Sequence, residues 1–182
     1  ASMAVEDAGL DKFSFDQERA GVLVSSGIGG MKYLQTQHKR ALEGGPKRVS
    51  PQLIPQMITN ILAGYISMKY KFKGPNFCIT SACASGTHSI GEAARMIAYG
   101  DADIMIAGGS EASIEMLGVA GFAALRATSR RNDDPKGASR PFDKDRDGFV
   151  MSEGAGVIVL ESRQHAEARN AKIYCSLSGL SL

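Results

Sequence analysis

Apolar and polar positions follow two rhythms along this chain. Short apolar runs recur at Gly21–Ser26 (GVLVSS), Asn76–Thr80, Asp103–Ala107 (DIMIA) and Gly156–Leu160 (GVIVL). Runs of this length, rich in β-branched residues and bounded by turn signals, predict buried strands. Between them the spacing is helical. Met31–Leu42 predicts a helix that stops at Gly44-Gly45-Pro46. Pro55–Tyr70 predicts one helix with Met57, Ile58, Ile61, Leu62, Tyr65 and Ile66 on its apolar stripe. Ala84–Tyr99 predicts another, with Gly100 as its C-cap. Ser162–Asn170 predicts a short helix with Ser162 as N-cap. Ala1–Asp7 reads as a helix ending near Gly9, and Lys172–Leu177 as a strand. Arg126–Asp147 is polar, carries two prolines and reads mostly as loop. Strands separated by helices imply an α/β fold with a mostly parallel, covered sheet.

Composition narrows the class. The chain has 182 residues, 43% of them hydrophobic and 22% charged, which suits a globular domain and excludes disorder. Lys and Arg total 21 against 19 Asp and Glu, a net charge of +2, so no cationic excess points to nucleic acid. No apolar run approaches the ~20 residues that span a bilayer, and the first residues do not form a signal peptide. Three cysteines are too few for a disulfide scaffold and fit a reducing, cytoplasmic setting. Both ends read as cut from something longer.

Four motifs invite chemistry. Gly27-Ile28-Gly29-Gly30 follows a strand, but a dinucleotide fingerprint needs glycine where Lys32 stands, so a tight turn is the better reading. Asp143-Lys144-Asp145-Arg146-Asp147-Gly148 opens like a calcium loop. The twelfth position is Gly154 rather than a bidentate Glu, and Glu153 comes one residue early. A salt-bridged turn fits better. Cys83, in Ser81-Ala82-Cys83-Ala84-Ser85-Gly86, falls at a strand-to-helix turn among small neighbours. Helix N-terminal N–H groups there favour a thiolate nucleophile. A structural cysteine is the equal alternative. Cys78 and Cys175 lie inside apolar patterns and read as core. A cysteine nucleophile normally needs a base. Yet His88 is five residues along the same helix, on another face, and His38 and His165 sit among polar residues on surface helices. None of the three is expected to be catalytic.

These residues resemble a family. The elbow Thr80-Ser81-Ala82-Cys83-Ala84-Ser85-Gly86 is followed by Gly100-Asp101-Ala102-Asp103 and Ala107-Gly108-Gly109-Ser110-Glu111. Then come Ser139-Arg140-Pro141-Phe142-Asp143, Arg146-Asp147-Gly148-Phe149-Val150 and Glu153-Gly154-Ala155-Gly156. In that order they resemble the β-ketoacyl-[acyl-carrier-protein] synthases, and among them the bacterial chain-elongating type II enzymes. The resemblance covers the whole chain, residues 1–182, which looks like a partial N-terminal half. It lacks the family's start and the C-terminal half with its two catalytic histidines, a lysine and a glycine-rich Phe loop.

The resemblance implies a thiolase-like fold, layered α/β with a mostly parallel sheet and the nucleophile at the start of a buried central helix. It implies fatty-acid elongation by decarboxylating Claisen condensation. Cys83 would hold the acyl group as a thioester and its backbone N–H would form half of an oxyanion hole. Ile28, Leu53 and Phe122 match positions lining the acyl pocket, Leu53 reaching a partner subunit's pocket in a homodimer; ordinary core is the alternative for all three. Lys47, Arg48 and Arg126, with Arg130 and Arg131, match places where the family presents positive charge to an acidic acyl carrier protein, or are a solvated surface. No cofactor and no metal are implied. The fragment alone would be inactive. A polyketide-type ketosynthase and a non-catalytic dimerising relative are the competing readings, and Cys83 argues against the second.

Overall fold

The computed structural model describes residues 1–179. Two compact units form, each from separated stretches of chain. The first combines residues 1–28, 58–111 and the stretch from Ala155 onward; the second combines 29–57 and 112–154. In chain order the described helices are α1 (Ser2–Asp7), α2 (Met31–Gly44), α3 (Leu53–Met57), α4 (Ile61–Tyr70), α5 (Ser85–Tyr99), α6 (Met116–Ala124) and α7 (Arg163–Ala168). The strands are β1 (Ala20–Ser25), β2 (Ile104–Glu111) and β3 (Gly154–Glu161), in the sheet order β1-β2-β3.

The sheet is the centre of the first unit. β1 and β2 run parallel, from Ala20 opposite Ile104 to Ser25 opposite Gly109. Successive side chains on a strand point to opposite faces. Val22, Val24, Ile104 and Ile106 therefore pack with Ala63 and Ile66 of α4, and with Phe72, Val5 and Leu10. Leu23, Met105 and Ala107 turn the other way, toward Ala93 of α5 and Ala102. Both faces of β1 are covered, which is why its run is apolar without interruption. Each fully buried Val, Leu or Ile side chain contributes roughly 1.5–3 kcal/mol. β3 is more open, with Ile158 42% exposed, while Val157 and Val159 join the first cluster and Leu160 the second.

Several expectations hold. α1 ends before Gly9 in the left-handed region, α5 ends on Gly100 at φ 82°, and Ser162 caps α7 by accepting the His165 N–H. α2 stops at Gly45.

Three expectations change. The single helix expected over Pro55–Tyr70 is two, α3 and α4. The Met57 carbonyl accepts the N–H of Gly30 at 3.0 Å, and Ile61 N–H turns to Ile58 instead, so the helical ladder is broken there. Tyr65 consequently leaves the predicted stripe and is 49% exposed. The Asn76–Thr80 strand reduces to one parallel bridge, Val22 to Asn76. Beyond it, the Ile79 N–H goes to the Ser25 hydroxyl rather than to a neighbouring carbonyl. Lys172–Leu177 is not a strand among the described residues; Ile173, Tyr174 and Leu177 are exposed and the Tyr174 hydroxyl donates to Asp7.

In the second unit, α2 carries the contacts to α3, to the turn Pro46–Arg48 and to α6. Gln35 accepts the Leu117 N–H at 3.0 Å, Lys32 pairs with Glu115 at 3.2 Å, and Glu153 accepts the Ile114 N–H. α6 has no counterpart among the predicted elements, because MLGVAGFAA is apolar throughout and gives no helical periodicity. No described helix is long and apolar enough to cross a membrane.

Candidate active site

Cys83 stands where the chain turns from the edge of the sheet into α5. Residues Ala82–Ala84 form one 3-10 turn and α5 begins at Ser85. Ala82 adopts φ 52°, a left-handed conformation that costs a non-glycine residue energy and persists only where its surroundings hold it. Ser85 supplies the hold. Its buried hydroxyl accepts the Ser81 N–H at 2.9 Å and donates to the Ala82 carbonyl at 2.7 Å.

A chain of buried hydroxyls continues inward. Ser89 donates to the Ser85 carbonyl at 2.8 Å and meets Ser25 at 2.6 Å, and Ser25 accepts the Ile79 N–H at 3.0 Å. β1, the 76–80 segment and the start of α5 are thus locked around one polar thread. Sequence reasoning missed these serines. The available signal was Ser25 and Ser89 interrupting otherwise apolar faces, since buried hydroxyls need partners.

α5 approaches β2 closely at a pair of glycines. A Cβ on Gly109 would lie 3.3 Å from the Gly86 Cα and 3.4 Å from the Ser25 carbonyl oxygen. One strand residue earlier, Gly108 adopts φ 147°, and a Cβ there would collide with the carbonyl of Gly156 on β3. Small residues at 86, 108 and 109 bring the helix start down onto the sheet and so fix the height at which Cys83 emerges.

Cys83 is exposed. Among the described residues its thiol has no hydrogen-bond partner and its N–H donates to nothing. An unused N–H beside a nucleophile is a donor ready for developing negative charge. His88 is committed elsewhere, its Nδ1 2.6 Å from the Ser81 hydroxyl. His38 is exposed on α2. His165 differs from its expected setting among surface polar groups. It is half-buried, 2.5 Å from Glu161 and edge-on to Phe13 and Phe15.

The other two cysteines are not core, as their apolar patterns led one to expect. Cys175 is exposed, and Cys78 is half-buried beside Thr80. Burial raises the Cys78 thiol, but hydrogen bonds with Thr80, Ser25, the Ser26 backbone and Thr59 outweigh it and hold the pKa below its ordinary value.

Gly27 and Ile28, which open the turn Gly27-Ile28-Gly29-Gly30, belong to the same unit as the elbow. Gly29 takes φ 77°, as a tight turn requires. A Cβ on Gly27 would come within 3.3 Å of the Ala82 carbonyl oxygen. The residues that precede Ile28 and Cys83 therefore lie against each other. Leu53, Phe122, Lys47, Arg48 and Arg126 belong to the other unit. Leu53 opens α3 and is half-buried. Phe122 sits on α6, edge-on to Phe149 at 5.2 Å. Lys47 and Arg48 are exposed in the Pro46–Arg48 turn, and Arg126 is exposed just past α6 at φ 55°.

The acidic stretch around Asp143 spends its carboxylates locally. Asp143 accepts the Asp145 N–H at 2.8 Å. Asp147 takes the Ser129 hydroxyl at 2.6 Å and the Arg130 N–H at 2.9 Å, bonds that hold its carboxyl below the usual range.

Comparison with known proteins follows the same lines. Residues 1–166 match the family model of the β-ketoacyl synthase N-terminal domain. The chain is 51% identical over 179 residues to the 3-oxoacyl-[acyl-carrier-protein] synthase 2 of Vibrio cholerae, covering 98% of this chain and 43% of that one. It is 52% identical over 165 residues to the mitochondrial 3-oxoacyl-[acyl-carrier-protein] synthase of Arabidopsis thaliana, covering 90% and 36%. Among solved structures, a β-ketoacyl synthase from Burkholderia phymatum superposes with TM-score 0.85 at 39% identity, covering 94% of this chain and 42% of that one. A ketosynthase in complex with its type II polyketide acyl-carrier protein gives TM-score 0.89 at 34% identity, covering 95% and 44%. These neighbours have the thiolase-like fold, and the described α/β arrangement with its parallel β1–β2 pair is part of it. The chain spans somewhat under half the length of the curated relatives it matches.

Proposed function

The chain belongs to the β-ketoacyl synthase family, and from that premise we propose that the protein carrying it is a 3-oxoacyl-[acyl-carrier-protein] synthase of fatty-acid elongation. The observation that carries this reading is Cys83. It is exposed on a strained turn at the start of α5, and its own N–H is unspent.

In this reading the Cys83 thiolate attacks the carbonyl carbon of an acyl thioester. The oxygen gains negative charge, and the Cys83 N–H donates to it. The carrier's thiol leaves, taking the proton that Cys83 gave up, and the acyl group stays on sulfur. Malonyl carrier protein then loses carbon dioxide, and the resulting carbanion attacks the Cys83 thioester. The new carbon–carbon bond releases the thiolate and a chain two carbons longer. Covalent capture divides one difficult step into two easier ones. His88 is tied to Ser81, which supports placing the histidines of the second step in the part of the relatives that this chain does not span. Residues 1–182 would then be part of the N-terminal half of a larger enzyme.

Ile28, Leu53 and Phe122 would line the acyl pocket, where each buried CH₂ contributes ~0.8 kcal/mol. Lys47, Arg48 and Arg126 would meet an acidic acyl carrier protein, their exposure leaving them open to it. A homodimer in the cytoplasm completes the proposal. A polyketide ketosynthase is the second reading, favoured by the TM-score of 0.89 to one. Identities near 50% to relatives named 3-oxoacyl-[acyl-carrier-protein] synthase 2 support the first.

The test is a condensation assay on the full-length protein, with acyl- and malonyl-loaded carrier proteins. A 3-oxoacyl product two carbons longer, lost in Cys83→Ala, is expected. Iterated products retaining several keto groups would favour the polyketide reading, and no condensation would refute both.

A further inference from the structure

Glu111 closes β2, and one turn uses its whole carboxylate. The Ser26 hydroxyl donates to Oε1 at 3.0 Å, and the N–H groups of Gly27 and Ile28 donate to Oε2 at 2.8 and 3.0 Å. Among the described residues no basic side chain pairs with it. Its charge is met by the dipoles of the turn. Hydrogen bonds to an ionised acceptor are roughly twice as strong as neutral ones.

The turn needs such a clamp. Three of the four residues in Gly27-Ile28-Gly29-Gly30 are glycine, the residue with most backbone freedom to lose. Gly27 is also wedged in place. A Cβ on it would stand 3.1 Å from Glu111 Oε2 on one side and 3.3 Å from the Ala82 carbonyl oxygen on the other. Ala82 precedes Cys83 and is the strained residue of the elbow. One carboxylate therefore fixes the turn that carries Ile28, and Gly27 of that turn lies against the elbow that carries Cys83. Ile28 itself is 36% exposed, so packing alone does not fix it.

We propose that Glu111 is a positioning residue for substrate selection: it holds the Ile28 side chain at a set place beside Cys83 and thereby sets which acyl chains reach the sulfur. This rests on the reading of Ile28 as an acyl-pocket residue. A turn released from Glu111 would let Ile28 drift, and discrimination between short and long acyl groups would change while the chemistry at sulfur persisted.

The experiment measures kcat/KM of the full-length enzyme for a short and a long acyl thioester. Glu111→Leu keeps the bulk and removes both acceptors. It is expected to shift the long-to-short ratio about tenfold, the effect of one lost charge-assisted bond. Glu111→Gln keeps an oxygen facing the turn and should change the ratio less than about threefold. In an Ile28→Ala background, Glu111→Leu should shift the ratio no further, because the residue it acts through is gone. Equal loss for both chain lengths, with a lower Tm, would overturn the proposal and leave Glu111 a stabilising contact. If Glu111→Leu fails to fold, Glu111→Asp, one methylene shorter, is held to the same outcomes. Should Ile28→Ala leave the ratio unchanged, the pocket reading of Ile28 fails and takes the proposal with it. Should Ile28→Ala shift the ratio and Glu111→Leu not, the proposal alone fails.

Discussion

The hydroxyl of Ser85 donates to the carbonyl of Ala82 at 2.7 Å, fastening the first residue of α5 to the strained residue that precedes Cys83. The same hydroxyl accepts the Ser81 N–H, so removing it leaves two part-buried backbone groups without this partner at once. Ser85→Ala is expected to cost ~1–3 kcal/mol of stability. It should also slow alkylation of Cys83 by iodoacetamide, because the elbow relaxes. Thermal melting and a peptide-resolved alkylation rate check both. Unchanged reactivity at Cys83 would show that the elbow holds itself.

The close approach of Gly86 and Gly109 yields a second expectation. A valine at 109 places its Cβ 3.3 Å from the Gly86 Cα, with two further methyls to house. Overpacking of this kind costs typically ~1–3 kcal/mol. Gly109→Val should lower Tm and reduce acylation of Cys83, because α5 is pushed off β2. Gly121→Val is the control, since a Cβ there meets nothing within 4 Å.

A pH-dependent test lies in the Glu161 network. Burial raises the Glu161 carboxyl, but the bonds from Arg169, at 2.6 and 2.7 Å, and from His165 outweigh it and hold the pKa below its ordinary value. A lowered folded-state pKa adds stability that is complete above the unfolded value and is lost as pH falls through the folded one. Glu161→Gln should therefore destabilise the protein at pH 7, and the gap to wild type should shrink below pH ~4. Denaturant titrations at pH 7 and in the acid range measure it; a gap that is constant with pH would contradict the ion-pair account.

Much of this was legible in the sequence. The uninterrupted run GVLVS predicts a strand covered on both faces, and Val22 and Leu23 do pack to opposite sides. Cys83 at a strand-to-helix turn was readable from its small neighbours, and so was the turn before Met31. Periodicity failed where bonds leave their own element. The Met57 carbonyl serving Gly30, and the Ser25 hydroxyl serving Ile79, break a predicted helix and a predicted strand, and neither partner is near in sequence. α6 was invisible because it has no polar face. Glu111 looked like the end of a motif; only folding shows that it grips a turn more than eighty residues earlier.

The exposed cations of the second unit offer a kinetic expectation. Charge reversal of Lys47, Arg48 and Arg126 to Glu should slow acyl transfer from the carrier protein, with transfer from a small thioester unaffected. Steering charges act on encounter and weaken with added salt. Stopped-flow acylation at two ionic strengths separates the cases; equal slowing with both donors would remove these residues from the docking surface.

Acyl transfer itself tests the account most directly. The full-length protein, incubated with an acyl-carrier-protein thioester, digested and read by mass spectrometry, should carry one acyl group on the peptide containing Cys83. That label should vanish in Cys83→Ala and leave Cys78 and Cys175 unmodified. An acyl group on Cys78 or Cys175, or one that persists in Cys83→Ala, would contradict the assignment of Cys83 as the nucleophile.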